Sequence, residues 1–120
     1  MIEIKIPFKT PTVNHLYGQR GFHKFLTKEA RDLREEIKAI VCEYYNEGFS
    51  LNLSNIEVTV EIYENWYNKD GSVKRKDIAN REKFLIDSIF NELGIDDKAI
   101  FKHTMIKRQS DKEYAMVTIK

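Results

Sequence analysis

Six polar residues in the second half of the chain, Asp77, Asn80, Lys83, Asp87, Asp96 and Asp97, have types and spacing that could do chemistry. Asn80, Lys83 and Asp87 lie at i, i+3 and i+7, which on a helix makes one polar stripe. Asp77 precedes the stripe and Asp96-Asp97 follows it. Carboxylates grouped in this way suit a hard divalent cation such as Mg²⁺, which takes one or a few of them together with waters and substrate phosphate oxygens. Such an ion generates hydroxide and neutralises charge on a phosphodiester under attack. A lysine beside it stabilises the charge that builds in the transition state. The basic run Lys74-Arg75-Lys76 abuts Asp77 and suits a loop that grips a nucleic-acid backbone. Each residue also has a plainer use: Asp77 as a helix cap, Asp87 on a solvated face, Asp96-Asp97 as a polar turn.

The elements that must position these residues follow from hydrophobic period. Ile2 to Phe8 alternates, with Ile2, Ile4 and Ile6 on one face of a strand. Pro7 and Pro11 end it, and Lys9 to His23 reads as a loop with Gly18 and Gly21 at turns. Thr27 is the expected N-cap of a first helix whose buried stripe is Ala30, Leu33, Ile37, Ile40, Val41 and Tyr44, closed by Gly48. Ile56 to Tyr63 alternates again as a strand, and Asp70-Gly71 marks a turn tip. A second helix is expected from about Ile78 to Leu93, with Phe84, Leu85, Ser88, Ile89 and Leu93 toward the core and Gly94 as its stop. Ile100 to Lys107 and Tyr114 to Ile119 are two more strands, joined around Gln109 to Lys112. The order strand-helix-strand-helix-strand-strand predicts a single α+β domain over residues 1–120, a four-stranded sheet with two helices on one face.

Bulk properties narrow the classes. A chain of 120 residues with 42% hydrophobic and 32% charged residues is long enough for one core. No apolar run approaches the roughly 18 residues of a membrane span, and the alternating N-terminus does not read as a signal peptide. The single cysteine, Cys42, has no disulfide partner and reads as a buried thiol. Together these features predict a cytoplasmic protein. A net charge of +1 means that any nucleic-acid surface must be local. His15, His23 and His103 are scattered without zinc-ligand spacing. Gly-rich phosphate loops, nucleophile elbows and dinucleotide fingerprints are absent from the sequence.

The run Lys76-Asp77-Ile78-Ala79-Asn80-Arg81-Glu82-Lys83, then Asp87, then Gly94-Ile95-Asp96-Asp97, resembles the RusA Holliday-junction resolvases. Their signature is Asp-x-Asp-Asn-x-x-Lys, a helix with a further Asp, and a Gly-rich end leading to Asp-Asp. Ile6-Pro7-Phe8, Pro11-Thr12-Val13-Asn14, Tyr17 and Thr27 through Arg31 agree in order, so the likeness covers nearly the whole chain. The resemblance implies a RusA-like fold and a homodimeric, Mg²⁺-dependent endonuclease, with Mn²⁺ as a substitute ion. It would nick opposed strands of four-way DNA junctions in recombination and repair. Position by position, it makes Asp77 and Asp97 the essential carboxylates and metal ligands and Lys83 the catalytic lysine. Asn80, Asp87 and Asp96 would support the pocket. Apart from the resemblance, Lys102, Lys107 and Arg108 form a second basic patch on the third strand and the start of its turn. Alone it reads as a solvated charged edge, and in a junction-binding dimer it would line the DNA path with Lys74, Arg75 and Lys76.

One position departs from the signature. The second aspartate of the motif is Ala79 here, and a methyl group binds no metal. The chain is then an inactivated variant, a natural subgroup in which Asp87, Asp96 or Glu82 supplies the carboxylate, or a relative that binds junctions without cutting them. A small α+β interaction protein with no DNA role is the rival from a different class. Phe22 and Trp66 are the loop aromatics that could wedge into a junction centre.

Overall fold

The computed structural model describes residues 2–11, 17–20, 23–46, 55–76 and 78–120, the side chains of 17–20, 23–26, 44–46 and 80 excepted. Strand β1 (Ile2–Ile6) is followed by a hairpin of β2 (Tyr17–Arg20) and β3 (His23–Leu26), then helix α1 (Lys28–Asn46). Strand β4 (Ile56–Glu64), helix α2 (Ala79–Leu93), a 3₁₀ turn (Asp97–Ala99), and strands β5 (Ile100–Gln109) and β6 (Tyr114–Ile119) complete it. The predicted order of main elements stands. The main sheet runs β1-β6-β4-β5, with β1/β6 and β6/β4 antiparallel and β4/β5 parallel. A parallel pair needs a crossover, and α2 supplies it.

The hairpin is a correction to the expected loop over Lys9 to His23. Tyr17 pairs with Leu26 and Arg20 with His23, so backbone hydrogen bonding organises a segment that carries little apolar alternation.

Alternation on the strands decides where the core lies. Ile2, Ile4 and Ile6, then Ile56, Val58, Val60 and Ile62, then Ala115, Val117 and Ile119, are all buried on the helix-covered face. Ala30, Ile37 and Val41 of α1 meet them, with Leu33 and Ile40 half-buried. Thr27 caps α1 as expected, its Oγ1 accepting from the Ala30 N–H at 3.2 Å. The expected Tyr44 side chain and Gly48 lie outside the described residues. On α2 the five predicted positions are buried, and so are Ile86 and Phe90.

Two local devices aim the C-terminal half of the site. Gly94 closes α2 in the left-handed region (φ 69), its N–H reaching the Asn91 carbonyl while the Ile95 N–H donates to Phe90 O at 3.0 Å. That bond pattern satisfies the last carbonyls of the helix and turns the chain toward Asp96 and Asp97. The second device is a bulge. Ile100 sits opposite Ile56 but Lys102 sits opposite Glu57, so Phe101 is the extra residue. After the bulge His103, Met105 and Lys107 register with Val58, Val60 and Ile62 and share their helix-covered face. Without it His103 would fall on the opposite face, because one residue of slip inverts a strand.

A Cβ at position 94 meets nothing within 4 Å, so Gly94→Ala tests conformation alone. Urea unfolding should show a loss of about 1 kcal/mol from the left-handed backbone. Leu85→Ala, at a site with no exposure, should lose about 2–5 kcal/mol.

Candidate active site

Among the described residues, a buried ion-pair network holds the start of α2. Ile78 occupies the N-cap position and its apolar side chain makes no cap bond. Arg81, one turn in, is buried and its Nη1 donates to Glu64 Oε1 and, at 3.2 Å, to the Thr10 carbonyl. Lys76 Nζ donates to the other Glu64 oxygen at 2.7 Å. The Glu64 side chain is only 2% exposed, so both of its oxygens are matched by cations. Lys107 Nζ donates to the Lys76 carbonyl at 2.8 Å and lies 4.8 Å from the centre of the Trp66 ring.

Trp66 is 2% exposed, and its indole N–H donates to the Ile62 and Arg108 carbonyls at 3.1 and 3.0 Å. It is a strut of this network and not a wedge for DNA. Phe22 lies outside the described residues.

The structure places the predicted residues unequally. Asp77 lies outside the described residues, and Asn80 stands in the first turn of α2 with its side chain undescribed. Lys83, Asp87 and Asp97 line one open cavity of about 410 Å³. The Lys83 ammonium lies 3.4 Å from the Asp87 carboxylate, with side chains 66% and 42% exposed. A pair that open contributes only about 0.3–0.5 kcal/mol, so a phosphate oxygen can displace it without unfolding anything. Asp96 caps the 3₁₀ turn, accepting from the Lys98 N–H at 3.0 Å, and this bond holds its carboxyl below the usual range. It therefore orients Asp97, its neighbour.

Two further residues belong to this cavity. Glu82 and His103 line it beside Lys83, Asp87 and Asp97. Glu82 Oε2 lies 2.9 Å from His103 Nε2, with side chains 12% and 31% exposed. Burial pushes the Glu82 carboxyl up, Asp87 adds to the rise, and His103 and Lys83 oppose it. An adjoining cavity of about 380 Å³ shares Ile86, Asp87 and Asp97 and adds Arg34 from α1 and Asp96. The Arg34 Nε is buried with no hydrogen-bond partner among the described residues. Glu64 was readable from the sequence, since the alternation that buries Ile56 to Ile62 continues onto it. His103 was not readable, because its face depends on the bulge.

The basic residues divide between two faces. Lys107 shares the helix-covered face with His103, whereas Arg108 pairs with Glu61 at 2.8 Å on the opposite face. Lys74 and Lys76 are half-buried and Arg75 is exposed. Among the described residues, no group of three or more Asp, Glu, His or Cys side chains could hold a metal ion. Of the two exposed aspartates at the turn, Asp97 is the one that lines the cavity beside Lys83 and Asp87, and a hydrated Mg²⁺ needs only one or two carboxylates.

A protein-family model described as Endodeoxyribonuclease RusA matches residues 7–120. None of the curated proteins compared with the chain matches it.

Arg81→Met should lower stability by about 3–5 kcal/mol in urea unfolding, since it leaves Glu64 buried and half-neutralised. Lys83→Met should change it by less than about 0.5 kcal/mol. Glu82 should titrate above its ordinary value of 4.5 when followed by carbon NMR of its carboxyl. The folded chain then takes that proton before the unfolded chain does. The contribution of Glu82 to stability should therefore rise as pH falls through the raised value, and fall again as pH increases through it.

Proposed function

Because the chain belongs to the RusA endodeoxyribonuclease family, we propose that it resolves four-way DNA junctions as a Mg²⁺-dependent homodimer, by paired symmetric nicks in recombination and repair. The family consists of Holliday-junction-resolving endonucleases that generally depend on a divalent metal. The observation that supports the reading here is the convergence of Lys83, Asp87 and Asp97 on one open cavity.

In this reading Asp97 and Asp77 would hold the ion, which when bound supplies a metal-activated hydroxide and charge neutralisation at the scissile phosphate. Lys83 places its ammonium against a non-bridging phosphate oxygen, where negative charge builds as phosphorus gains a fifth ligand. Asp87 holds Lys83 over the cavity until the phosphate arrives. Asp96 keeps Asp97 at the mouth through its cap on the 3₁₀ turn. Lys74, Arg75 and Lys107 contact the DNA backbone, which carries shape rather than sequence information. Lys76 contributes less charge to the DNA, since Glu64 already engages it. A two-fold dimer matches a substrate with near two-fold symmetry and places one nick in each opposed strand.

Ala79 is exposed in the first turn of α2 and carries no atom that could bind metal. It favours a second reading, in which the chain binds junctions without cutting them. The test is junction cleavage by the unchanged chain and by Ala79→Asp, side by side with Mg²⁺ and with Mn²⁺. The unchanged chain should nick slowly, Ala79→Asp should nick faster, and Asp77→Asn should abolish both activities. Nicking by Ala79→Asp alone would make the chain a binder, with the alanine as the lesion. Nicking by neither would contradict the nuclease reading.

A further inference from the structure

The Glu82–His103 pair has no place in the motif that Asp77, Lys83 and Asp97 represent, yet it faces the same cavity. The two residues come from different elements, and each is brought there by a separate device. Glu82 lies in the first turn of α2, which the Glu64–Arg81 pair anchors. His103 reaches the helix-covered face only because Phe101 is bulged out of the β4/β5 register. In the pair the carboxylate is the buried member, and its Oε2 has no in-line hydrogen-bond donor among the described residues. The imidazole is the open member, 31% exposed, with Nε2 2.9 Å from Glu82 Oε2. Nδ1 is the ring nitrogen not turned toward Glu82, and either ring nitrogen of a neutral imidazole can take up a proton.

Resting on the nuclease reading above, we propose that His103 is the proton acceptor for the attacking water and that Glu82 is its positioning residue. The water oxygen forms a bond to phosphorus and its proton passes to Nδ1 of the neutral imidazole. The bond from phosphorus to the leaving ester oxygen breaks, and the electron pair stays on that oxygen, which takes a proton from solvent. The imidazolium returns its proton to solvent before the next turnover. Glu82 opposes the positive charge while it exists, as a carboxylate does behind a catalytic histidine. The other charged groups facing His103 are Lys83 and Asp87 from α2 and Asp97 from the 3₁₀ turn, whereas β4 presents Val58 opposite it. A proton acceptor separate from the metal ligands also offers a use for the site when the carboxylate at position 79 is missing.

The experiment measures nicking of a synthetic four-way junction by the full chain, with junction affinity read alongside by gel shift. His103→Gly should lower the nicking rate on the order of 10²-fold, with junction affinity unchanged within about twofold. Added imidazole should restore about tenfold or more of that loss. Glu82→Gln should lower the rate less, and the double variant should be no slower than His103→Gly alone, as expected of residues acting as a unit. His103→Gln, closer in size, serves as the second variant if glycine disturbs β5. A loss without imidazole rescue, or losses that multiply in the double variant, would make the pair a structural tie and overturn the proposal. Full nicking by His103→Gly with none by Asp97→Asn would remove His103 from the chemistry and leave the nuclease reading standing. No nicking by the unchanged chain at any pH would remove both.

Discussion

A carboxylate at 2% exposure is costly unless both of its oxygens are matched, and Glu64 meets that condition through Arg81 and Lys76. The consequence is geometric. Glu64 ends β4, Arg81 opens α2 and Lys76 closes the loop between them, so one ion-pair network ties three segments together. Trp66 packs under the same cations, 5.9 Å from Lys76 and 5.7 Å from Arg81, and hydrogen-bonds to the backbones of β4 and β5. Through Arg81 this network ties the first turn of α2 to the end of β4 and so helps set where Glu82 and Lys83 lie.

The far end of α2 is set by different physics. Gly94 reverses the chain through a left-handed backbone, and Asp96 caps the short turn that presents Asp97. The cavity therefore lies along a helix fixed at one end by charge and at the other by glycine conformation. Between the ends, Phe84, Leu85, Ile89 and Phe90 hold the helix against the sheet. The polar residues facing the cavity contribute little to that hold. Lys83 and Asp87 are open and weakly paired, which leaves them able to meet a charged substrate.

Much of this arrangement was legible in the sequence, for definable reasons. Period-two alternation located β1, β4 and β6, and three- and four-residue spacing located the buried faces of both helices. Thr27 and Gly94 marked helix ends because their chemistry is local. The β2/β3 hairpin was hidden because its arms carry little apolar alternation and its pairing is through backbone. The site was half legible. Lys83, Asp87 and Asp97 follow from motif spacing, whereas His103 joins them through a one-residue bulge that composition does not announce. Lys107 and Arg108, adjacent in sequence and grouped as one basic patch, separate onto opposite faces for the elementary reason that strand neighbours alternate.

The central claim is that α2 and the 3₁₀ turn together form the catalytic centre of a junction-cleaving nuclease. The most direct measurement is strand-resolved mapping of nicks on a synthetic four-way junction with Mg²⁺, for the unchanged chain and Asp97→Asn, with a linear duplex of the same sequence as comparison. Paired nicks at matching positions in opposed strands of the junction, absent from the duplex and lost in Asp97→Asn, are the predicted result. Equal cutting of junction and duplex, or nicking that survives Asp97→Asn, would contradict it.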